Sequence, residues 1–378
     1  MVETIKDGDV SGFDDFDNRY LLGEQSFGIK RDAVKSLPVI DITPFVATGT
    51  DAQRRRVAQA LRKACIDVGF FYLAGHGFTA TELADAITWG HRFFELPLEK
   101  KMTLHTQGPG QTGFMRVGGI NPEKNADKAA DLKERFIMSR ERFPDEPAEG
   151  WGTAGLTRWP PEEMLPGFAS FIKAHLAKRV RLAQTMARSF ALSLDLPEDY
   201  FDRYYRHLGV VSIINYYPPL TAESVQRTQW SFSPHTDYGG FTLLSQDSLG
   251  GLQVRNSAGE WIAVPPIEGT FIVNLGDLMA TWTNDLYKSN LHRAANVSGQ
   301  ARISIPFFAS PQGAAVIECL GTCQSATNRP RYEPVTAGEY IRTLMEQADR
   351  TGRPGISQRT ANRMRKGTAV KEDNLTIQ

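Results

Sequence analysis

Three residues in the second half of the chain have the types and the spacing of a metal site. His235 and Asp237 are separated by one residue beside a strand-like region, and His292 follows 55 residues after Asp237. Side chains two positions apart on an extended chain point the same way, so this imidazole and this carboxylate can converge. A His-x-Asp pair alone is a weak signal that favours a surface pair or a loop hydrogen bond. His292 adds the second imidazole that a metal site needs.

Two histidines and one carboxylate on one face of an octahedron are typical of non-haem Fe(II) oxygenases with open coordination positions. Dioxygen takes one such position, and a bidentate co-substrate takes the other two. Arg302 lies ten residues after His292, and Ser304 shares the strand face of Arg302. A guanidinium binds a carboxylate through two parallel hydrogen bonds, to which a hydroxyl can add another. The pair is therefore predicted to bind the distal carboxylate of a keto acid.

Short strands must position these residues. After Leu208, strand-like runs follow one another with Gly, Pro, Asn and Asp between them, which favours an antiparallel sandwich or barrel. The predicted strands are 210–217, 241–246, 252–255, 261–264, 271–274 and 302–308.

The N-terminal third has the pattern β, α, β, α, and further helices are predicted behind it. The apolar spacing predicts strands at 38–42, 68–73 and 133–138, and a helix over 51–65 with Asp51 as its cap. Other helices are predicted from Thr79 to about Phe94, from Pro160 to Leu194, over 198–205, and within 336–366.

Composition limits the function classes. The 378 residues include 43 Lys plus Arg and 43 Asp plus Glu, so the formal net charge is zero. This balance argues against a nucleic-acid or anionic-membrane partner. No apolar run approaches the ~20 residues of a membrane span, and the first residues lack a secretory pattern. We expect a cytoplasmic protein of one large domain or two closely joined ones.

Several motifs together resemble the 2-oxoglutarate- and Fe(II)-dependent dioxygenases of the isopenicillin N synthase-like family. The likeness covers roughly residues 38–312 and begins with PVIDI and GFFYLAGHG. The sharpest motifs are NYYPP (215–219), PHTDYGGFTLLSQD (234–247), GLQV (251–254), FIVNLGDLMATWTNDLYKSNLHR (271–293) and RISIPFF (302–308). The resemblance implies a mainly β fold with flanking helices, a distorted double-stranded β-helix or jelly roll.

The resemblance also implies roles for particular residues. His235, Asp237 and His292 correspond to the iron ligands, and Arg302 and Ser304 to the residues that bind the 5-carboxylate of 2-oxoglutarate. Tyr217 corresponds to a tyrosine that donates a hydrogen bond to the same co-substrate. We expect Asn215 to face that pocket, and Phe232 to border the substrate.

The implied reaction is oxidation of a small organic metabolite with release of succinate and CO2. It requires Fe(II), 2-oxoglutarate and O2, with ascorbate as reductant in vitro. Hydroxylation is the default outcome, and desaturation or cyclisation uses the same ligands. Two alternatives stay open: an Fe(II) oxidase of the same fold that does not use 2-oxoglutarate, and a non-catalytic jelly roll that binds a metabolite.

Four regions are expected along the chain. Residues 1–37 form an N-terminal arm, and residues 38–208 an α/β region that packs on the barrel. Residues 209–312 form the jelly-roll core, and residues 313–378 a C-terminal strand, helix and basic tail.

Other candidate ligands have simpler explanations. His76 lies in a Gly-flanked turn outside the metal spacing and is predicted to be structural. Cys319 and Cys323 lack the further ligands that zinc needs, so we expect reduced thiols.

Overall fold

The computed structural model describes residues 37–106, 111–116, 131–147, 154–219, 231–256, 260–296 and 298–351. Residues 1–36 of the predicted N-terminal arm and the basic tail after residue 351 lie outside this part of the chain.

Two facing β-sheets form the centre of the molecule. The strands are β1 (Val39–Asp41), β2 (Phe70–Ala74), β3 (Gly113–Met115), β4 (Glu134–Met138), β5 (Gly209–Tyr217), β6 (Phe232–His235), β7 (Phe241–Gln246), β8 (Leu252–Arg255), β9 (Trp261–Ala263), β10 (Phe271–Leu275), β11 (His292–Ala294), β12 (Arg302–Ser310), β13 (Val316–Ile317) and β14 (Val335–Thr336). The larger sheet has eight strands in the order β1-β2-β10-β7-β12-β5-β4-β3, the smaller has four in the order β6-β11-β8-β9, and β13 pairs with β14.

The N-terminal strands belong to the same sheet as the strands of the second half. β1 pairs in parallel with β2, and β2 pairs antiparallel with β10. At the other edge, β3 and β4 continue the sheet from β5. The boundary expected at residue 208 therefore lies within one continuous sheet, and the division into four regions stays a prediction.

Helices cover the outer face of the large sheet. The helices are α1 (Thr43–Val46), α2 (Asp51–Asp67), α3 (Ala80–Phe94), α4 (Leu98–Met102), α5 (Phe168–Ser193), α6 (Asp202–Tyr205), α7 (Asp277–Trp282) and α8 (Ala337–Thr351), with a 3₁₀ turn at Gly321–Cys323. Leu61 of α2, Phe93 of α3 and Phe190 of α5 share one apolar core with the sheet. Gly90 lets α3 approach closely, because a Cβ there would lie 2.9 Å from Ile214 Cγ2.

A second apolar cluster joins the inner faces of the two sheets. Phe70 and Ile272 from the large sheet pack with Val254 and Ile262 from the small one. Side chains alternate between the faces of a strand, so Phe70 and Tyr72 face the small sheet while Phe71 and Leu73 face the helices. The two sheets therefore enclose a space that can hold a site.

Three helix predictions need correction at their ends. The cap of α2 is Thr50, not Asp51, because the Thr50 hydroxyl accepts from Gln53 N while the Gln53 side chain accepts from Thr50 N. The long helix predicted from Pro160 begins only at Phe168, since Gly167 before it has a left-handed φ of 82°. The helix predicted over 198–205 is restricted to Asp202–Tyr205.

In the part of the chain that the structure describes, every helix is too short or too polar to span a bilayer. The cytoplasmic location and the absence of nucleic-acid and membrane partners stay predictions.

Candidate metal centre and co-substrate pocket

Strand pairing in the small sheet brings the two predicted histidines together. β6 ends at His235 and β11 begins at His292, and these two residues are direct cross-strand partners. Their ring centroids lie 4.2 Å apart. His235 and His292 are 57 residues apart in the sequence. Strand pairing nevertheless places them side by side on antiparallel strands.

Asp237 completes a compact group of three ligand atoms. Its Oδ1 lies 3.8 Å from His235 Nε2 and 3.6 Å from His292 Nε2. One ligand atom from each residue lies within 4.8 Å of the other two, a spacing that can hold a single metal ion. Among the described residues, no other group of three or more His, Cys, Asp or Glu side chains has this arrangement.

Backbone carbonyls orient both imidazoles toward the centre. His235 Nδ1 lies 2.8 Å from Ser233 O, and His292 Nδ1 lies 3.2 Å from Asn290 O. A carbonyl only accepts, so each Nδ1 carries the proton and each Nε2 keeps its lone pair. This tautomer is the one that binds a metal through Nε2.

The carboxylate of Asp237 is held from the large sheet. Its Oδ2 accepts hydrogen bonds from Thr242 Oγ1 of β7 at 2.5 Å and from Asn274 Nδ2 of β10 at 2.6 Å. Burial alone would raise the pKa of Asp237, but the two histidines and these two donors outweigh it and lower that pKa. Oδ1 is left to face the imidazoles as part of an anionic carboxylate.

Electrostatics also favour a neutral imidazole at His235. Burial and the neighbouring His292 hold the pKa of His235 well below its ordinary value. Metal ligands must be deprotonated, so this direction suits a cation in the centre.

The four residues predicted to bind the co-substrate lie together on neighbouring strands of the large sheet. Arg302 of β12 pairs with Tyr217 of β5, and Ser304 pairs with Asn215. Direct antiparallel partners share a face, so the four side chains point the same way. Ser304 Oγ donates to the Tyr217 hydroxyl at 3.4 Å, and the Arg302 guanidinium lies 4.9 Å from the centre of the Tyr217 ring.

This group has polar atoms without protein partners. Arg302 Nε donates to Gly250 O and Nη2 donates to Gln246 Oε1, but within the described part of the chain the buried Nη1 has no partner. The same holds for the buried Oδ1 of Asn215. Buried polar atoms are rarely left unsatisfied, so Nη1 calls for an acceptor supplied from outside the chain. A carboxylate matches that need.

Burial raises the pKa of Tyr217, with Arg302 and Ser304 opposing the shift. The phenol therefore stays protonated and keeps a hydrogen to donate.

Phe232 lies directly against the triad. Its ring stacks on His235 with centroids 3.9 Å apart, and Lys133 Nζ lies 2.6 Å from the centre of the same phenyl ring. Lys133 pairs with Asp131 at 3.1 Å, and Asp131 accepts from both the backbone and the hydroxyl of Ser233. The predicted position of Phe232 at the substrate remains a prediction, but its place beside the triad is compatible with it.

The simpler explanations hold for the other candidates. His76 is a structural turn residue, because its Nε2 bonds to Gly269 O at 2.9 Å while Nδ1 accepts from Phe78 N. Cys319 and Cys323 are free cysteines.

The sequence reasoning missed the residues that hold the site residues in place. Thr242, Asn274 and Gln246 were not singled out, although each lies within a quoted motif. Their signal is a polar side chain inside or at the end of an otherwise apolar strand, as in FTLLSQ and FIVNL. Asp131 and Lys133 are two positions apart just before β4, and this spacing indicates that their side chains point to the same face of the extended chain.

Comparisons with known proteins agree with this geometry. Residues 209–311 match the 2OG-Fe(II) oxygenase superfamily, and residues 37–162 match the N-terminal region of non-haem dioxygenases in morphine synthesis. A 2-oxoglutarate-Fe(II) type oxidoreductase of Metarhizium majus is 35% identical over 329 residues, covering 82% of this chain and 87% of the relative. A homoarginine-6-hydroxylase of Glycine max is 32% identical, covering 81% and 95%.

A solved structure extends the likeness to the fold. A full-length protein of Neurospora crassa, crystallised in complex with alpha-KG and thymine, superposes with a TM-score of 0.75 at 29% identity. The match covers 84% of this chain and 98% of that protein, and it confirms the predicted jelly roll. The chain thus belongs to the 2-oxoglutarate- and Fe(II)-dependent oxygenases, and it is an oxidoreductase of that superfamily.

Proposed function

We propose that His235, Asp237 and His292 are the iron ligands of this dioxygenase. The assignment rests on the convergence of two Nε2 atoms and one Oδ1 atom. The second polar atom of each of these three side chains is already hydrogen-bonded to the protein. Two imidazoles and one carboxylate would hold Fe(II) and would leave further coordination positions for the co-substrate and dioxygen.

Arg302, Ser304, Tyr217 and Asn215 form the proposed binding site for 2-oxoglutarate. The unpartnered Nη1 of Arg302 and the Tyr217 hydroxyl are donors for its distal carboxylate, and the Ser304 hydroxyl becomes a third donor when its hydrogen turns from Tyr217 to the ligand. Arg302 is 2% exposed, so its hydrogen bonds to a bound carboxylate are shielded from water.

The bound Fe(II) supplies the chemistry that couples decarboxylation of 2-oxoglutarate by O2 to removal of hydrogen from a substrate carbon. The chain itself orients the ligands through Ser233, Asn290 and Asn274, holds the co-substrate through Arg302, and excludes water from the buried site.

The proposed substrate is a small organic molecule, with hydroxylation as the default reaction. Phe232 borders the proposed substrate position, because its ring stacks on His235. Support comes from relatives of comparable length, one named as a homoarginine hydroxylase and one solved with thymine. These names differ in chemistry, so they support a small-molecule substrate without selecting one.

Succinate formation tests the proposal without knowledge of the substrate. The purified protein with Fe(II), ascorbate and O2 should convert 2-oxoglutarate to succinate slowly, and a true substrate should accelerate this in proportion to product. Under anaerobic conditions, Fe(II) with 2-oxoglutarate should give a charge-transfer absorption band that Asp237→Asn and Arg302→Gln lose.

The rival within the same fold, an Fe(II) oxidase independent of 2-oxoglutarate, makes the opposite prediction. Turnover at full rate without any 2-oxo acid would overturn the role given to Arg302 and its neighbours. A metabolite-binding protein without catalysis would form no succinate at all.

A further inference from the structure

Two basic side chains extend the inner face of the large sheet beyond the proposed co-substrate site. Arg135 of β4 is the direct cross-strand partner of Asn215 on one side and of Met115 on the other. Asn215 in turn pairs with Ser304. Arg135 therefore lies in the same row as two residues of the proposed 2-oxoglutarate site, one strand further out.

Lys133, two positions before Arg135, shares this face and reaches toward the triad. Its Nζ lies over the ring of Phe232, which stacks on His235. Lys133 is 4% exposed, and Asp131 is its partner at 3.1 Å. Asp131 is also committed to two hydrogen bonds from Ser233.

Arg135 has no comparable partner. Its Nη2 donates to Met115 Sδ at 2.7 Å, and a thioether is only a weak acceptor. Among the described residues no carboxylate lies within ion-pair distance of its guanidinium. The neighbouring Glu134 shows the contrast, because it points to the opposite face and closes an ion pair with Lys101 at 2.7 Å.

Asp131 is thus committed to Lys133 and Ser233, and Arg135 is the basic side chain of this face that has no carboxylate partner among the described residues. Burial lowers the pKa of Lys133 to about 7 and also lowers that of Arg135, while Asp131 opposes both shifts. Partial burial of a cation without a counter-ion is unfavourable, and an anion placed beside Arg135 would reduce that cost.

We propose that Arg135, supported by Lys133, binds a carboxylate of the primary substrate, so that the enzyme oxidises a small organic acid. This inference rests on the proposed function, which assigns Arg302 to 2-oxoglutarate and leaves Arg135 for a second anion. Arg135 is half-buried and lies on the same sheet face as Asn215 and Ser304, so a ligand beside the proposed co-substrate site would meet it. The single positive charge of the Arg135 guanidinium matches a carboxylate better than the nearly doubly charged phosphate monoester.

Matched pairs of acids and amides test the charge requirement. The anaerobic complex of wild-type protein, Fe(II) and 2-oxoglutarate is titrated with phenylacetate and phenylacetamide, hexanoate and hexanamide, and phenyl phosphate. Binding is followed by the change in the charge-transfer band and by thermal shift. We expect at least one acid to bind tenfold or more tightly than both its amide and phenyl phosphate. Equal or absent binding of acid and amide, or preference for phenyl phosphate, overturns the inference.

Variants then locate the acid. Arg135→Gln should weaken binding of the preferred acid at least about tenfold while leaving the affinity of its amide unchanged, since a lost charge-assisted hydrogen bond affects only the anion. Arg135→Lys should restore part of that loss. The control Arg181→Gln replaces an exposed arginine of α5 and should bind the acid as wild type does.

The two levels of the proposal fail separately. A wild-type complex that forms its charge-transfer band but shows no acid preference removes only the inference about Arg135. If the band itself does not form, the proposed co-substrate site is wrong. Equal acid affinity in wild type and Arg135→Gln, with both folded by circular dichroism, also contradicts the role of Arg135.

Discussion

The triad of His235, Asp237 and His292 and the group around Arg302 differ in how their polar atoms are satisfied. In the triad, the ring Nδ1 atoms and the Asp237 Oδ2 are bonded to the protein, and only the three inward atoms are left. Around Arg302, by contrast, the buried donor Nη1 of Arg302 has no partner among the residues that the structure describes.

This difference indicates two kinds of ligand. A metal ion needs lone pairs held at a fixed geometry, so the protein immobilises every other atom of its ligands. An organic co-substrate brings its own acceptors, so the protein can leave donors open for it. The two regions are consistent with one ion and one carboxylate as neighbouring occupants.

The largest effect is expected from Asp237→Asn, which tests the triad side of the comparison. An amide can still accept from Thr242 and Asn274, but its NH2 group cannot bind a cation. We expect an intact fold, an iron content near zero and succinate formation below detection. Iron content by mass spectrometry, together with circular dichroism, measures this, and a folded variant with normal iron and turnover would contradict the ligand assignment.

Arg302→Lys tests the other side. Lysine keeps the charge but cannot form the two parallel hydrogen bonds of a guanidinium. Truncation of one partner in a buried, hydrogen-bonded charge pair costs about 2–5 kcal/mol of binding free energy. The KM for 2-oxoglutarate should therefore rise about 30-fold or more, with iron content unchanged. If iron is lost together with 2-oxoglutarate affinity, the two regions are not separable in the way proposed.

Asn274→Leu should have an intermediate effect that sharpens the comparison. It removes one of two hydrogen bonds to Asp237 Oδ2. Loss of such an outer partner typically weakens metal affinity about 10–100-fold. Iron titration followed by activity should show this shift, whereas the KM for 2-oxoglutarate at saturating iron should stay at its wild-type value. Thr242→Val, which removes the other donor, is the matched variant.

The smallest effect concerns an imidazole outside both regions. Burial, followed by Arg179 and Lys178, holds the pKa of His175 well below its ordinary value, and its Nε2 has no partner. The unfolded chain therefore takes up a proton below about pH 6.5 that the folded chain does not, which destabilises the fold by up to about 1.4 kcal/mol per pH unit. Urea unfolding at pH 7.5 and 5.5 should show a smaller loss for His175→Phe than for wild type. If the free energy of unfolding falls equally in both proteins between pH 7.5 and 5.5, other titrating groups determine the pH dependence of stability.

Local pattern predicted the apolar strands β7 and β8 well and missed the more polar strands β6 and β11. The runs 241–246 and 252–255 coincide with β7 and β8, because apolar strand residues with turns at both ends leave a clear signal. β6 and β11 have four and three residues, include polar side chains and pass close to the site. Their strand state depends on pairing with each other and with β8, which no local pattern reports.

The outer partners of Asp237 illustrate the same limit. Thr242 and Asn274 are visible as polar residues in apolar strands, but the sequence does not say which carboxylate they serve. β7 and β10 must first become neighbours, with Asn274 opposite Thr242, before both donors can reach the same oxygen.

The sequence by itself determined the chemical types of the site: two imidazoles and one carboxylate in the order of an iron site, and a guanidinium with a hydroxyl two residues on. It did so because these types and spacings are set by the metal and the co-substrate. Tertiary structure alone decided that His235 and His292 are cross-strand partners, that each turns Nδ1 to a backbone carbonyl and leaves Nε2 facing Asp237, and that Arg135 has no carboxylate within ion-pair distance among the described residues. These facts depend on contacts between strands far apart in the chain, and the folded sheets determine those contacts.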